Sequence, residues 1–211
     1  MQLLGHVAVI HRYPVKSLAG EELDSVEIDA DGIPGDRASA LFVTAGHARA
    51  GQTFRGKEHN LLHLTSDPRE AAALAEANSV AVELRHGTHY FDAAPISLLF
   101  DRWVDQVSAG LGRQLDFRRW RPNLFARAAA DFQLSESDLN GALIEAGTAL
   151  LRVRESNRRC VTTTYDVETG EPDPEVLRYV AQERESVLGV YCDVELAGVV
   201  RAGEPLRLRA R

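Results

Sequence analysis

Leu3-Leu4-Gly5-His6-Val7-Ala8-Val9-Ile10-His11-Arg12 carries aliphatic side chains at odd and even positions alike. On an extended chain Leu3, Val7 and Val9 fall on one face and Leu4, Ala8 and Ile10 on the other. A strand apolar on both faces is buried on both, which requires a sheet covered on either side or closed on itself. The segments that follow extend this β-rich reading. Residues 23–28 alternate acid with aliphatic, so Val26 and Ile28 face inward, and residues 38–43, 61–65 and 79–85 read as further short strands. Asp67-Pro68-Arg69-Glu70 opens a helix, with Asp67 as N-cap, Pro68 at the first helical position and Glu70 completing a capping box.

The spacing of Ile96, Leu99, Phe100, Trp103, Val104 and Val107 predicts one amphipathic helix ending at Gly110 or Gly112. Strands are expected at 114–119, 123–127, 149–154 and 161–164. Asp173-Pro174 starts a second helix, whose apolar face runs through Val176, Leu177, Val180, Val187 and Leu188. Strict alternation over 190–196 and 205–209 closes the chain. In 190–196, Val190, Cys192, Val194 and Leu196 share a face, so Cys192 belongs to the core and Tyr191 points the other way. Many short strands with a few helices give a mostly β, α+β fold, with a closed barrel-like sheet.

Composition narrows the function classes. The 211 residues carry a formal charge of −7, which argues against nucleic acid or an acidic membrane as partner. No apolar run approaches the ~18 residues of a membrane span, and the first residues do not read as a signal peptide. Two cysteines, Cys160 and Cys192, make a poor disulfide framework, and a reducing cytoplasm is the expected location. Of the 24 basic residues only Lys16 and Lys57 are lysines. Where arginine is the default cation, a lysine suggests a place for a compact ammonium donor.

Four constellations carry chemistry. Arg158-Arg159-Cys160-Val161-Thr162-Thr163-Thr164-Tyr165-Asp166 places a thiol beside two guanidinium groups. Fixed positive charge favours the thiolate that acts as nucleophile or metal ligand, although a free cysteine also serves as a small buried strand residue. Tyr13-Pro14-Val15-Lys16-Ser17-Leu18 leaves an ammonium and a hydroxyl together, a pair suited to a phosphate oxygen. Gly32-Ile33-Pro34-Gly35-Asp36-Arg37 delivers an acid and a base from a tight turn. It lacks the further oxygen ligands of a calcium loop. Arg119-Trp120-Arg121-Pro122-Asn123 holds a guanidinium and an amide on a proline-stiffened segment.

The order of these motifs, with Asp92 ahead of Pro95, Thr169-Gly170 after Asp166, and Gly189-Val190-Tyr191 near the end, resembles the MOSC family, named for the C-terminal domain of molybdenum cofactor sulfurases. The chain is similar to the amidoxime-reducing enzymes and their N-hydroxyl-reducing bacterial relatives. The resemblance implies a barrel of the MOSC type over residues 91–211, packed against a smaller N-terminal β-rich domain over 1–90. It implies a pyranopterin–molybdenum cofactor with the metal on Cys160 and the thiolate kept ionised by Arg158 and Arg159. It further implies that Lys16, Ser17, Arg37, Arg121, Asn123 and Arg159 hold the cofactor, while Asp92 and Tyr191 complete the catalytic site with Cys160. The implied reaction is reduction of a small N-hydroxylated or N-oxide substrate, with electrons from a separate ferredoxin- or flavin-reductase-like protein.

Departures from the relatives are also visible. The stretch 46–90 is abbreviated, and their tryptophan before an Ile-Gly turn is replaced by Leu139-Asn140, with Ala146-Gly147 at the turn. Neither a ferredoxin nor a pyridoxal-phosphate domain is expected in the remaining chain. The alternative reading is a sulfur-carrier or cofactor-carrier module in which Cys160 holds a persulfide. A histidine metal site from His59, His63, His86 and His89 is the third possibility. The Glu of a metalloprotease motif is missing there, and solvated or core histidines are the plainer reading.

Overall fold

The computed structural model describes residues 1–87 and 89–209. Its elements run β1 (Gln2–Arg12), β2 (Glu21–Leu23), β3 (Ser25–Ile28), β4 (Ser39–Gly46), α1 (Pro68–Ala77), β5 (Val80–His86), β6 (Ile96–Phe100), α2 (Asp101–Gly110) and β7 (Leu124–Ala128). They continue with β8 (Leu143–Ala146), β9 (Ala149–Arg158), α3 (Pro174–Glu183), β10 (Val187–Leu196), β11 (Gly198–Arg201) and β12 (Pro205–Arg209).

The main sheet runs β12-β8-β9-β10-β6-β7-β1, and β12 also pairs with β1, so seven strands close into a barrel. β2 adds to the last residues of β1. The one parallel pair in the barrel is β6–β7, and α2 lies in the crossover that such a pair requires. The chain leaves the barrel after β1 and returns at β6. In between, β3 pairs with β11 and β4 with β5, and α1 packs on the latter pair around Leu41, Val43, Phe54, Leu62, Ala71 and Ala75. Within the first 90 residues, β1 bonds to β12 and β7 inside the barrel.

β1 is buried as its sequence implies, but not on the faces that simple alternation assigns. Bulges at Leu3/Gly5 and Val7/Val9 shift its register. Leu4, Val7 and Ile10 thereby enter the core, while Leu3 is left 38% exposed. Each bulge adds a residue and resets the period-two rule. Gly5 permits the close approach that follows, since a Cβ there would sit 2.1 Å from the Arg127 carbonyl oxygen.

The expected helix beginning at Ile96 is corrected in its first half. Residues 96–100 form β6, buried throughout and hydrogen-bonded to β10 on one side and β7 on the other. The helix starts at Asp101 and buries Trp103, Val104 and Val107. A fully buried strand has no polar face, so periodicity cannot separate it from a helical stripe. Likewise α3 stops at Glu183; Glu185 and Ser186 take positive φ, and Val187 and Leu188 begin β10. Three expected strands are 3-10 turns instead: Leu62–Leu64, Phe117–Trp120 and Val161–Thr164. Asp67 caps α1 by accepting from the Arg69 N–H at 2.8 Å. Glu70, however, accepts from the Thr65 hydroxyl at 2.5 Å instead of closing a capping box. Cys192 lies fully in the core and burial pushes its thiol well above the ordinary range.

Candidate functional site

The exit from β1, the turn before β4, the β4–α1 connection, the entries to β6 and β7, the last residues of β9 with the segment that follows, and β10 come together around one site. Together they enclose a cavity of about 510 Å³. Lys16, Ser17, Arg37, Asp92, Arg121, Asn123, Arg159, Cys160 and Tyr191 all line it. So do both lysines of the chain, Lys16 and Lys57.

Backbone strain marks the same place. Among the described residues six non-glycine positions have positive φ, and Ser17 (70°), Arg37 (48°) and Arg121 (51°) are three of them. The left-handed region disfavours L side chains, and such outliers persist where the surroundings impose them, commonly at ligand sites. Here the twist aims two guanidinium groups at one ring: Arg121 lies 4.2 Å and Arg37 4.7 Å from the centre of Tyr13. The Tyr13 hydroxyl donates to the Pro122 carbonyl at 3.3 Å, anchoring the ring that the cations share.

The cations differ in how they are compensated. Arg37 is ion-paired with buried Asp36; burial would lower the guanidinium, but the charge and hydrogen bond of Asp36, with Tyr13 and Asp92, together hold it above its ordinary value. Lys16 donates to Asp92 at 2.5 Å and to the Tyr90 carbonyl at 2.8 Å. Arg121 and Arg159 have no carboxylate partner among the described residues. Arg121 donates to the Leu18 carbonyl at 2.7 Å. Arg159 donates to the carbonyls of Leu188 (2.7 Å) and Trp120 (2.9 Å). Burial lowers each of the two to about 10, so both remain charged at neutral pH. Two desolvated positive charges without a direct ion pair among the described residues favour an anion between them.

The thiol sits where β9 ends. Cys160 precedes the 3-10 turn Val161–Thr164, and its carbonyl accepts from the Thr163 N–H at 3.1 Å. Its Sγ is partly exposed and lies 3.2 Å from the Thr162 hydroxyl. Arg159 therefore braces the segment before the thiol and does not bond to the sulfur. Nearby, burial would raise Asp92, but the charge and hydrogen bond of Lys16 hold it below the usual carboxylate value. Burial raises the Tyr191 phenol although Arg159 opposes this, so Tyr191 is a neutral O–H donor at neutral pH.

Asn123 is placed in the wall, and both ends of its amide are engaged by the protein. Its Oδ1 accepts from the Ser97 N–H, the Ser97 hydroxyl and Arg37, and its Nδ2 donates to the His11 carbonyl. It fixes Arg37 instead of presenting a free amide. Tyr13, Trp120 and Asn157 line the cavity without having been assigned from the sequence; the first two stand inside quoted motifs, and nothing local signals the third. All four buried polar side-chain atoms lacking a hydrogen-bond partner among the described residues, His11 Nδ1, Arg55 Nε, Trp120 Nε1 and Asn157 Oδ1, belong to residues lining this cavity. Native interiors leave few such atoms, and their concentration here fits a wall built to meet a polar ligand.

The histidines do not converge. His63 bonds to the Asp166 carbonyl at 2.7 Å, His86 to the Ser39 hydroxyl at 2.8 Å, His59 accepts from the Leu61 N–H, and His89 lies 3.7 Å from Asp31. Among the described residues no three His, Cys, Asp or Glu side chains are grouped to hold a metal ion.

One cavity of this closed mixed barrel thus holds a thiol and two arginines that have no carboxylate partner among the described residues. The MOSC domain family model matches residues 85–207, and the chain belongs to the MOSC domain family. Its fold is similar to that of YuaD from Bacillus subtilis, at 16% identity and a TM-score of 0.63, covering 100% of this chain and 98% of that one. It is also similar to YiiM from Escherichia coli, at 13% identity and a TM-score of 0.51, covering 100% of this chain and 71% of that one. No curated protein matches the chain. No helix among the described residues is long and apolar enough to cross a membrane.

Proposed function

We propose that the protein binds a pyranopterin–molybdenum cofactor through Cys160 and reduces small N-hydroxylated or N-oxide substrates. The observation that carries this reading is the placement of a partly exposed thiol in one cavity with Arg121 and Arg159, two partly buried cations lacking a carboxylate partner among the described residues. A soft thiolate suits such a metal, and the arginines suit the phosphate that the cofactor carries. The unpartnered buried polar atoms of the wall suit its heterocycle. When bound, the group supplies oxygen-atom acceptance and two-electron relay.

The chain's own residues bind, orient and supply protons. Arg121, Arg159 and Arg37, with Lys16 and the Ser17 hydroxyl, hold the anionic end, and Asn123 keeps Arg37 in place. Tyr191 donates its O–H toward the substrate oxygen, and the Asp92 carboxylate remains ionised beside Lys16 to orient the polar end of the substrate. The overall change is R–NHOH + 2 e⁻ + 2 H⁺ → R–NH₂ + H₂O, with electrons from a separate ferredoxin- or flavin-reductase-like protein.

The test is molybdenum and pterin content together with hydroxylamine reduction, in protein made by a cofactor-competent host. Wild type is expected to carry molybdenum and Cys160→Ser to lack it. Molybdenum-free wild type would sink the reading, and a persulfide mass shift on Cys160 would then favour a sulfur carrier.

A further inference from the structure

Two asparagines lie buried in the wall of one cavity and are treated in opposite ways. Asn123 is 1% exposed, and both its Oδ1 and its Nδ2 are hydrogen-bonded, to Ser97, Arg37 and His11. Asn157 is 3% exposed, yet its fully enclosed Oδ1 has no hydrogen-bond partner among the described residues. Asn157 lies near the end of β9, three residues before Cys160. There the β9–β10 register shifts between Val187 and Val190, and no described cross-strand side chain takes up the amide oxygen. Earlier on the same strand Leu151 and Val153 fill buried positions with aliphatic side chains. For folding alone an aliphatic residue at 157 would serve better, because an enclosed amide without a partner is destabilising.

We infer that the Asn157 carboxamide hydrogen-bonds the donor–acceptor edge of the pterin held beside Cys160, an inference that rests on the function proposed above. The other groups around the thiol narrow what Asn157 contributes. Arg37, Arg121, Arg159 and the Trp120 indole only donate, so a ring N–H or exocyclic amine of a bound heterocycle needs an acceptor that they cannot provide. A carboxamide supplies one, and by turning about its terminal torsion it presents N–H or C=O to the same edge. With no protein partner on Oδ1 among the described residues, the ligand sets that orientation. The unpartnered Trp120 Nε1–H lies in the same wall and supplies a fixed donor.

The experiment compares wild type with Asn157→Leu and Asn157→Ala, each made in hosts with and without pterin synthesis. Bound pterin per chain is read by fluorescence after oxidation, molybdenum by elemental analysis, and stability of the cofactor-free chains by thermal melting. Asn157→Leu is expected to raise the cofactor-free midpoint by about 2–4 °C, as removal of an enclosed unpaired amide should. Both variants are expected to retain about tenfold less pterin, the worth of one hydrogen bond. A lower cofactor-free midpoint for Asn157→Leu overturns the inference, because the amide would then be holding the fold. Wild-type pterin retention in either variant also overturns it while leaving the proposed function standing. Wild type that carries neither pterin nor molybdenum removes the proposed function, and this inference with it.

Discussion

The guanidinium of Arg159 lies 5.6 Å from the centre of the Trp120 ring and donates to the carbonyl oxygen of that same residue at 2.9 Å. Its Nε and Nη2 N–H groups both donate to the Leu188 carbonyl. One side chain thus ties the end of β9 to the turn before β7 and to the start of β10, with its charge left facing the cavity. A lysine carries the charge but lacks the planar fork that reaches both carbonyls. Arg159→Lys is expected to cost about 1–3 kcal/mol of stability through the carbonyl left unpaired. Calorimetry reads this directly, and an unchanged midpoint would show that the bridge contributes nothing.

The two cysteines should respond in opposite senses. Cys192 lies in the apolar core, so Cys192→Ser buries a hydroxyl without a designed partner and is expected to lose about 1–3 kcal/mol with molybdenum content intact. Cys160 is partly exposed and its sulfur touches only the Thr162 hydroxyl among hydrogen-bonding groups. Cys160→Ser is expected to stay within about 0.5 kcal/mol of wild type while losing the metal. Melting and elemental analysis of both variants decide the matter, and an unstable Cys160→Ser chain would contradict this account.

Stability is expected to decline as pH falls below neutrality. Burial holds His11 below its ordinary 6.5, with Glu22 opposing and Arg118 and Arg121 assisting. Burial does the same for His63 against the opposing carbonyls of Asp166 and Asn60. In the unfolded chain both protonate near 6.5, so it binds more protons than the native state below that value. The contribution is complete above the ordinary value of 6.5 and is lost as pH falls from there through the lowered folded values. His11→Gln should flatten the midpoint-against-pH curve over that range; an identical slope would refute the assignment. Asp92, held low by Lys16, acts in a separate window: it stabilises above its ordinary 3.8 and that contribution disappears as pH falls through its lower folded value.

Glu136 is buried, accepts twice from Arg184 at 2.7 and 2.9 Å, and accepts from the Gly189 N–H at 3.2 Å. Removing the charge strands Arg184, whose side chain is 15% exposed. Glu136→Gln is expected to cost about 3–5 kcal/mol. The same peptide link carries Leu188, the acceptor for Arg159, so cofactor retention should fall with it. A variant as stable as wild type in chemical denaturation would show that the pair is replaceable.

Much of the barrel was legible because strand alternation and turn residues are local. Val26 and Ile28 face inward, the Asp67 cap and the Asp173-Pro174 helix start are where their residue types imply, and Tyr191 and Cys192 fall on opposite faces of β10. The errors share one cause. At Ile96–Phe100 and at Val187–Leu188 the apolar spacing is compatible with helix or with a strand buried on both sides, and the neighbouring strands decide. Leu62–Leu64, Phe117–Trp120 and Val161–Thr164 have strand-like composition, but each lies in a loop with no adjacent strand to pair with, and tightens into a 3-10 turn.

For the candidate site the division is similar. Residue types marked four short motifs, and the family resemblance carried by their order implied Lys16, Ser17, Arg37, Asp92, Arg121, Asn123, Arg159, Cys160 and Tyr191; all nine line one cavity. What each does was decided by tertiary contacts alone. Asn123 is engaged by Ser97, His11 and Arg37, Arg159 braces carbonyls from two distant segments, and the Asn157 Oδ1 is left without a partner among the described residues. The sequence by itself determined that β1 is a buried strand and that a thiol follows two arginines. Only the tertiary structure decided which way the bulges turn β1 and which buried polar groups remain unpaired, since hydrogen-bond satisfaction depends on groups as much as 112 residues apart.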